Sequence, residues 1–257
     1  MATFVAIVRS ILTYTFLCVY LVVAGAPLVA VALLAGSPRI LYDAGAAGLR
    51  VAFALAGIRM RLTGREHIRR DGPAVYCANH TSAVDPPAAF LALRPVHPRL
   101  AILYKAELRR VPILGRGFDL AGFVPVERGN RDRSIAAVDA AAAALAAGRS
   151  FLVYPEGTRS PTGELLPFKK GPFVLAIKAG APIVPMVITG ARESMEKGSA
   201  LIRPACVRVR FGPPIETAGM TIEDRDRLAA AVRAAMQALL DEERGRPVYE
   251  AISARPS

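Results

Sequence analysis

Polar and apolar residues are distributed differently in the two parts of the chain. From residue 10 to residue 38 no charged side chain occurs, and the run ILTYTFLCVYLVVAGAPLVAVALLAG fills most of that interval. This exceeds the roughly 20 apolar residues that cross a bilayer core as helix. Ala24-Gly25-Ala26 has the small-x-small look of a cleavage site, but only Arg9 supplies a preceding charge and the apolar run continues past it. A membrane segment is therefore favoured over a cleaved signal. Gly25-Ala26-Pro27 either kinks one tilted span or breaks the run into a re-entrant hairpin, and the shortness of the two halves favours the hairpin. Arg39, Arg50, Arg59, Arg61, Arg65, Arg69 and Arg70 follow. By the positive-inside rule they place the rest of the chain on the cytoplasmic side of an inner membrane. Residues 40–58 read as a helix, either resting on the bilayer surface or buried in the domain that follows.

Beyond residue 59 short apolar runs alternate with longer helical patterns. Strands are predicted at 75–78, 101–104, 122–126, 151–154, 183–188 and 207–211, and helices at 88–93, 113–120, 134–147, 172–179 and 222–244. Such alternation argues a layered α/β domain with polar loops at the strand ends. The expected organisation is an N-terminal membrane-associated helical segment over 1–58, an α/β domain over 59–245 and a flexible tail over 246–257.

Composition narrows the partners. Hydrophobic residues make up 53% of the chain, mean hydropathy is +0.35, and the net charge of +12 gives a pI near 10.2. A basic balance suits nucleic acid, an anionic bilayer surface or phosphorylated substrates. Tryptophan is absent, aromatics are 7% and no recognition motif appears, which argues against nucleic acid. Cys18, Cys77 and Cys206 are isolated singletons, giving neither a zinc pattern nor a disulfide framework and implying a reducing compartment.

The stretch CANHTSAVDPP holds one of only three histidines, His80, five residues before Asp85. Helix neighbours meet at three or four residues, so this pair must meet around a turn. In the plainer reading Asp85 caps the helix begun by Pro86-Pro87, and His80 fills a loop. In the sharper one, Asp85 holds the imidazole Nδ1 and leaves Nε2 to take a proton from a hydroxyl. That is a serine triad without its serine, so the hydroxyl would belong to the substrate. Cys77, three residues earlier, is the rival nucleophile, though a strand cysteine is ordinarily a small packed hydrophobe. Lys105, Arg128, Glu156 and Arg159 fall in polar loops at the ends of other predicted strands, where α/β folds assemble sites.

These blocks resemble the glycerolipid acyltransferases that make phosphatidic acid, typified by 1-acylglycerol-3-phosphate acyltransferase. Asn79, His80, Ser82 and Asp85 match an Asn-His-x-Ser-x-x-Asp block. Residues 122–128 are similar to a Gly-x-x-Phe-like strand ending in arginine, with Glu127 in place of aspartate. Pro155-Glu156-Gly157-Thr158-Arg159-Ser160 matches a third block, with Tyr154 replacing phenylalanine. Ile183-Val184-Pro185-Met186-Val187 resembles a fourth, and Phe168-Lys169-Lys170-Gly171 a basic stretch. The resemblance covers about residues 59 to 215 and implies a central mixed sheet flanked by helices.

It also implies acyl transfer from a thioester, acyl-CoA or acyl carrier protein, to the sn-2 hydroxyl of lysophosphatidic acid, or to another lyso-lipid. His80 and Asp85 would be catalytic, without metal or further cofactor. Lys105 or loop amides would stabilise the oxyanion. Arg128, Arg159 and Lys169 would hold the acceptor phosphate. Glu156 would anchor its loop or an acceptor hydroxyl, and Gly157 and Thr158 would line the loop, glycine allowing close backbone approach. Only five of the 33 basic residues are lysines, so lysine at 105, 169 and 170 runs against the chain's habit.

Overall fold

The structure, a computed structural model, describes residues 2–127 and 131–245. Seven strands form one sheet in the order β1-β7-β6-β2-β5-β3-β4. They are β1 (Ile58–Thr63), β2 (Val75–Ala78), β3 (Leu100–Lys105), β4 (Val124–Val126), β5 (Ser150–Val153), β6 (Ile183–Thr189) and β7 (Ala205–Phe211). Strands β2 to β6 run parallel, while β7 pairs antiparallel with β6 and parallel with β1. The sheet is therefore mixed, and the five parallel strands all end at one edge.

The central strands are apolar on both faces because both faces are covered. Tyr76, Ala78, Leu152, Val184 and Met186 face a layer made by α3 (Arg39–Ala56) and α4 (Asp85–Ala92). Val75, Cys77, Phe151, Val153 and Ile183 face α6 (Arg131–Ala146), α7 (Gly171–Ala179) and α9 (Arg225–Arg244). Two short helices, α5 (Leu114–Leu120) and α8 (Ala191–Ser194), follow β3 and β6. Pro185 is tolerated in a central strand because Gly212 donates to its carbonyl at 2.8 Å where the β6–β7 ladder ends. Only a terminal rung is forgone.

Strand β1 is absent from the elements expected above. Its alternation of Ile58, Met60 and Leu62 with Arg59, Arg61 and Thr63 is that of an edge strand, with two arginines that discourage further pairing. Arg65, Arg69 and Arg70 follow the end of β1, at the sheet edge from which β2 starts.

The N-terminal run also differs from expectation. Helices α1 (Ala2–Tyr20) and α2 (Ala26–Leu34) form one continuous apolar helix through a π-helical turn at Leu21–Gly25. Pro27 lacks the N–H of an ordinary helical turn, and widening the preceding turn absorbs the loss without reversing the chain. Reversal comes later, around Gly36, and α3 packs back against α1 and α2. One face of α1 is small and polar: Ala6, Ser10 and Thr13 are buried. Ser10 accepts from Ile202 N at 2.8 Å, and Tyr14 Oη donates to Ala200 O at 2.8 Å. Arg9 donates to Leu55 O at 2.9 Å. The other face exposes Phe4, Ile11, Leu12, Val22 and Val23.

Of the two places expected for residues 40–58, one face of α3 takes the buried one, while Val51 on another face stays exposed. Tyr42, Phe53 and Ala56 belong to the layer beneath the sheet, and the Tyr42 hydroxyl donates to Leu100 O and Ala121 O. The tail expected over 246–257 lies outside the described residues.

Candidate active site

Strand β2 ends at Ala78, and after six intervening residues the chain enters α4 at Asp85. Asp85 does not cap that helix. Its side chain turns back, and one oxygen, Oδ2, accepts from His80 Nδ1 at 2.9 Å, Thr81 N at 2.6 Å and Ser82 N at 2.7 Å. Two prolines behind it start the helix without needing a cap. The five-residue spacing is thus closed by a turn whose amides converge on the same carboxylate as the imidazole. Asp85 is fully buried and the His80 side chain is 15% exposed. With Nδ1 as donor to the carboxylate, Nε2 is left as the imidazole's basic nitrogen.

The remaining residues of the block brace the turn. The Asn79 side chain donates to Ile188 O at 3.0 Å and accepts from Ile188 N at 2.7 Å, tying the end of β2 to β6. Ser82 Oγ donates to Met195 O at 2.7 Å.

Adjacent to β2, strand β5 delivers the second loop. Glu156 is 2% exposed; Oε1 accepts from His80 N at 2.8 Å and Oε2 from Leu166 N at 2.9 Å. Burial holds its carboxyl above the usual range, opposed by those two backbone donors. Ser160 N donates to His80 O at 2.7 Å, so the backbone of His80 is held from both sides by this loop. Of the two roles expected for Glu156, these bonds supply the first: both carboxylate oxygens anchor the loop, bracing it against the turn of His80. The Tyr154 ring lies against the imidazole, with centroids 4.3 Å apart. Burial, and secondarily the Asp85 carboxylate, hold its hydroxyl well above the ordinary value. The Tyr154 contact is not among the expectations drawn from the sequence, where its one signal is a tyrosine at a phenylalanine position; for Glu156 the loop anchoring is expected but its partners His80 and Leu166 are not.

Gly157 adopts φ +67°, open to glycine without strain, and a Cβ there would touch the Lys169 side chain at 3.5 Å. Lys169 N donates to Pro155 O at 2.7 Å, which seats the Lys169 backbone on the same loop. Thr158 and Lys169 are exposed and Arg159 half-buried. Lys105 ends β3, two strands from β2 and so about 10 Å away at ordinary strand spacing. It pairs with Glu107 at 3.2 Å and is 53% exposed. Lys170 turns to Asp226 at 3.1 Å. Arg128 lies outside the described residues. The thiol rival does not fit: Cys77 is fully buried in the opposite layer, and burial pushes its pKa far up.

The arrangement suits base-assisted attack by an external hydroxyl, with cationic side chains near one strand edge. Residues 59–189 match the family model described as Acyltransferase. A 1-acyl-sn-glycerol-3-phosphate acyltransferase of Limnanthes alba is 35% identical over 67% of this chain and 60% of its own. The Homo sapiens 1-acyl-sn-glycerol-3-phosphate acyltransferase alpha is 34% identical over 71% of this chain and 64% of its own. The chain thus spans about three fifths of the length of these relatives. A crystal structure of the 1-acyl-sn-glycerophosphate (LPA) acyltransferase PlsC from Thermotoga maritima superimposes with a TM-score of 0.84 at 25% identity, covering 96% of this chain and 99% of that one.

Proposed function

The chain belongs to the acyltransferase family, and we propose that it moves a fatty acyl group from an acyl thioester to the sn-2 hydroxyl of lysophosphatidic acid, yielding phosphatidic acid. The observation that carries this reading is the His80 Nδ1–Asp85 Oδ2 hydrogen bond of 2.9 Å in a turn at the strand-end edge. In the proposed step, Nε2 of His80 takes the proton of the acceptor hydroxyl as its oxygen attacks the thioester carbonyl. Asp85 keeps the ring in the required tautomer and stabilises the imidazolium. The tetrahedral intermediate collapses with cleavage of the C–S bond, and the imidazolium returns its proton to the departing thiolate. Lys105, on the neighbouring parallel strands' edge, is assigned to the oxyanion. Arg128, Arg159 and Lys169 are assigned to the acceptor phosphate, which guanidinium groups bind through paired donors. Glu156 acts indirectly, by fixing the backbone of His80, and Gly157 and Thr158 shape the phosphate loop. A thioester is already activated, so the reaction as proposed needs neither metal nor cofactor beyond the acyl donor, acyl-CoA or acyl carrier protein.

Membrane association belongs to the same reading. What supports it is the inverted pattern of α1, small and polar toward the domain and apolar away from it, continued by the wholly apolar α2, which suits a bilayer as the outer solvent. The net charge of +12 suits an anionic surface on the cytoplasmic side of an inner membrane. The test is a panel of lyso-acceptors and both donor types, offered to purified full-length protein with products read by lipid mass spectrometry. Phosphatidic acid should dominate. Equal or faster acylation of lysophospholipids with larger head groups would move the assignment to another lyso-lipid.

A further inference from the structure

Among the described residues, the large apolar side chains that stand exposed lie on α1, the π-turn, α2 and α3, with three exceptions: Leu108, Val111 and Ile135. Two of the three share one turn. Residues Ala106–Arg110 form a 3-10 helix directly after β3, at the sheet edge where His80 and Glu156 also emerge. Leu108 is 41% and Val111 37% exposed. Around them Arg109, Arg110 and Arg116 are exposed, Arg109 being shared with Asp119 at 3.1 Å.

This turn is joined to the apolar helix. Ile113 adopts φ +66°, ψ −55°, and Leu114 N donates to Pro112 O at 2.6 Å. That is a γ-turn of the rare, strained hand, on a β-branched residue that ordinarily avoids positive φ. The strained side chain points at the helix: Ile113 Cγ2 would be 2.8 Å from a Cβ at Gly25, the last residue of the π-turn. Helix α5, which follows, packs on α2 and on the π-turn. The exposed face of α1–α2 and the Leu108–Val111 turn are therefore parts of one surface.

We propose that the turn from Ala106 to Arg116 is a second bilayer contact: Leu108 and Val111 enter the acyl region beside α1–α2, and Arg109, Arg110 and Arg116 meet the phosphates of anionic lipids. Short apolar side chains flanked by arginines have the composition of an interfacial insertion, the guanidinium groups staying at headgroup depth. The consequence is orientation. A single helix leaves a domain free to roll about it, whereas two contacts fix the strand-end edge, with His80, toward the lipid.

This inference rests on the membrane reading proposed above, and the test separates the two. Full-length protein with Cys18→Ser and Cys206→Ser carries one environment-sensitive dye at Leu108→Cys, Val111→Cys, Val22→Cys or Glu66→Cys. Each is reconstituted into phosphatidylcholine vesicles with and without phosphatidylglycerol. The dye at 22, 108 and 111 should shift to the blue and lose most of its emission to shallow nitroxide lipids. At 66, on the far edge, it should respond only to aqueous iodide. Omitting phosphatidylglycerol should weaken quenching at 108 and 111 while leaving 22 unchanged. If 22 is quenched by lipid but 108 and 111 behave like 66, the second contact is refuted and the helix anchors alone. Shielding of 108 from iodide by acidic acyl carrier protein, without lipid quenching, would assign the turn to a protein partner and also refute it. If 22 itself stays in water, the membrane reading fails and this inference falls with it.

Discussion

The turn around His80 and the cationic rim beside it are built in opposite ways. Asp85 and Glu156 are buried, and three of their four carboxylate oxygens accept hydrogen bonds, from the His80 imidazole and the backbone N–H groups of His80, Thr81, Ser82 and Leu166. Lys105 and Lys169, by contrast, are exposed, and Lys105 pairs with the equally exposed Glu107. The difference fits the roles proposed. A base must sit within a fraction of an ångström of the proton it takes, and rigidity there lowers the barrier. A phosphate can be met by mobile charges that adjust around it, at a smaller cost in precision.

The sharpest way to break this comparison is to remove the base. His80→Ala should lower kcat about 10²–10⁴-fold or more with little change in melting temperature, since the imidazole is not part of the core. Asp85→Asn should be nearly as severe and should also destabilise the turn, because an amide oxygen that keeps the three bonds at the Oδ2 position leaves its NH2 buried at the Oδ1 position, which has no hydrogen-bond partner among the described residues. An unsatisfied buried N–H costs about 1–3 kcal/mol. Cys77→Ser should be close to silent in activity; loss of turnover in a folded Cys77→Ser would restore the thiol as nucleophile.

Next in size is the brace. Glu156→Gln places an amide donor against the His80 or Leu166 N–H and should cost about 1–3 kcal/mol in stability, visible as a lower urea midpoint. It should reduce kcat more than it raises KM, since it moves the base and not the acceptor. The opposite split would make Glu156 a substrate contact after all.

On the rim, Arg159→Ala should weaken the phosphate-bearing acceptor with stability unchanged. A lost charge-assisted hydrogen bond, about 1.5–3 kcal/mol, corresponds to roughly 10–150-fold in acceptor KM. A fall confined to the donor's apparent affinity would place this guanidinium on the donor's phosphates.

The smallest effect lies far from both regions. Burial beside Tyr42 and Phe90 lowers the His97 pKa from 6.5 to about 4. Its folded value is depressed, so the neutral ring's contribution is full above about pH 6.5 and is lost as pH falls toward 4. With part of the ring accessible to solvent, the loss is on the order of 1–2 kcal/mol. His97→Phe, which keeps the aromatic packing, should flatten the decline in melting temperature over that interval; an unchanged decline would place the acid-sensitive group elsewhere.

The same contrast governs what the sequence reveals. Strands β2, β5 and β6 were legible because burial on both faces leaves unbroken apolar runs. His80 and Asp85 were legible as a pair because the turn that joins them is only five residues long. Strand β1 was not, since the arginines that suit an edge strand break the apolar run by which the central strands are recognised. The break at Gly25-Ala26-Pro27 was misread because a π-turn, invisible to periodicity, absorbs the proline. Glu156 was half legible: its loop was marked by motif, but its partners His80 and Leu166 lie 76 and 10 residues away and are joined only by folding.

The central claim is that the attacking oxygen belongs to the acceptor and that His80 serves it as a base. The most direct test mixes full-length protein with a labelled acyl thioester in the absence of acceptor. Intact-protein mass and free thiol are followed over several turnover times, and acceptor is then added. The account predicts no acyl adduct and no burst of thiol until the lyso-lipid arrives, when thiol and phosphatidic acid appear together. A stoichiometric acyl-enzyme, with a thiol burst before acceptor, would contradict it.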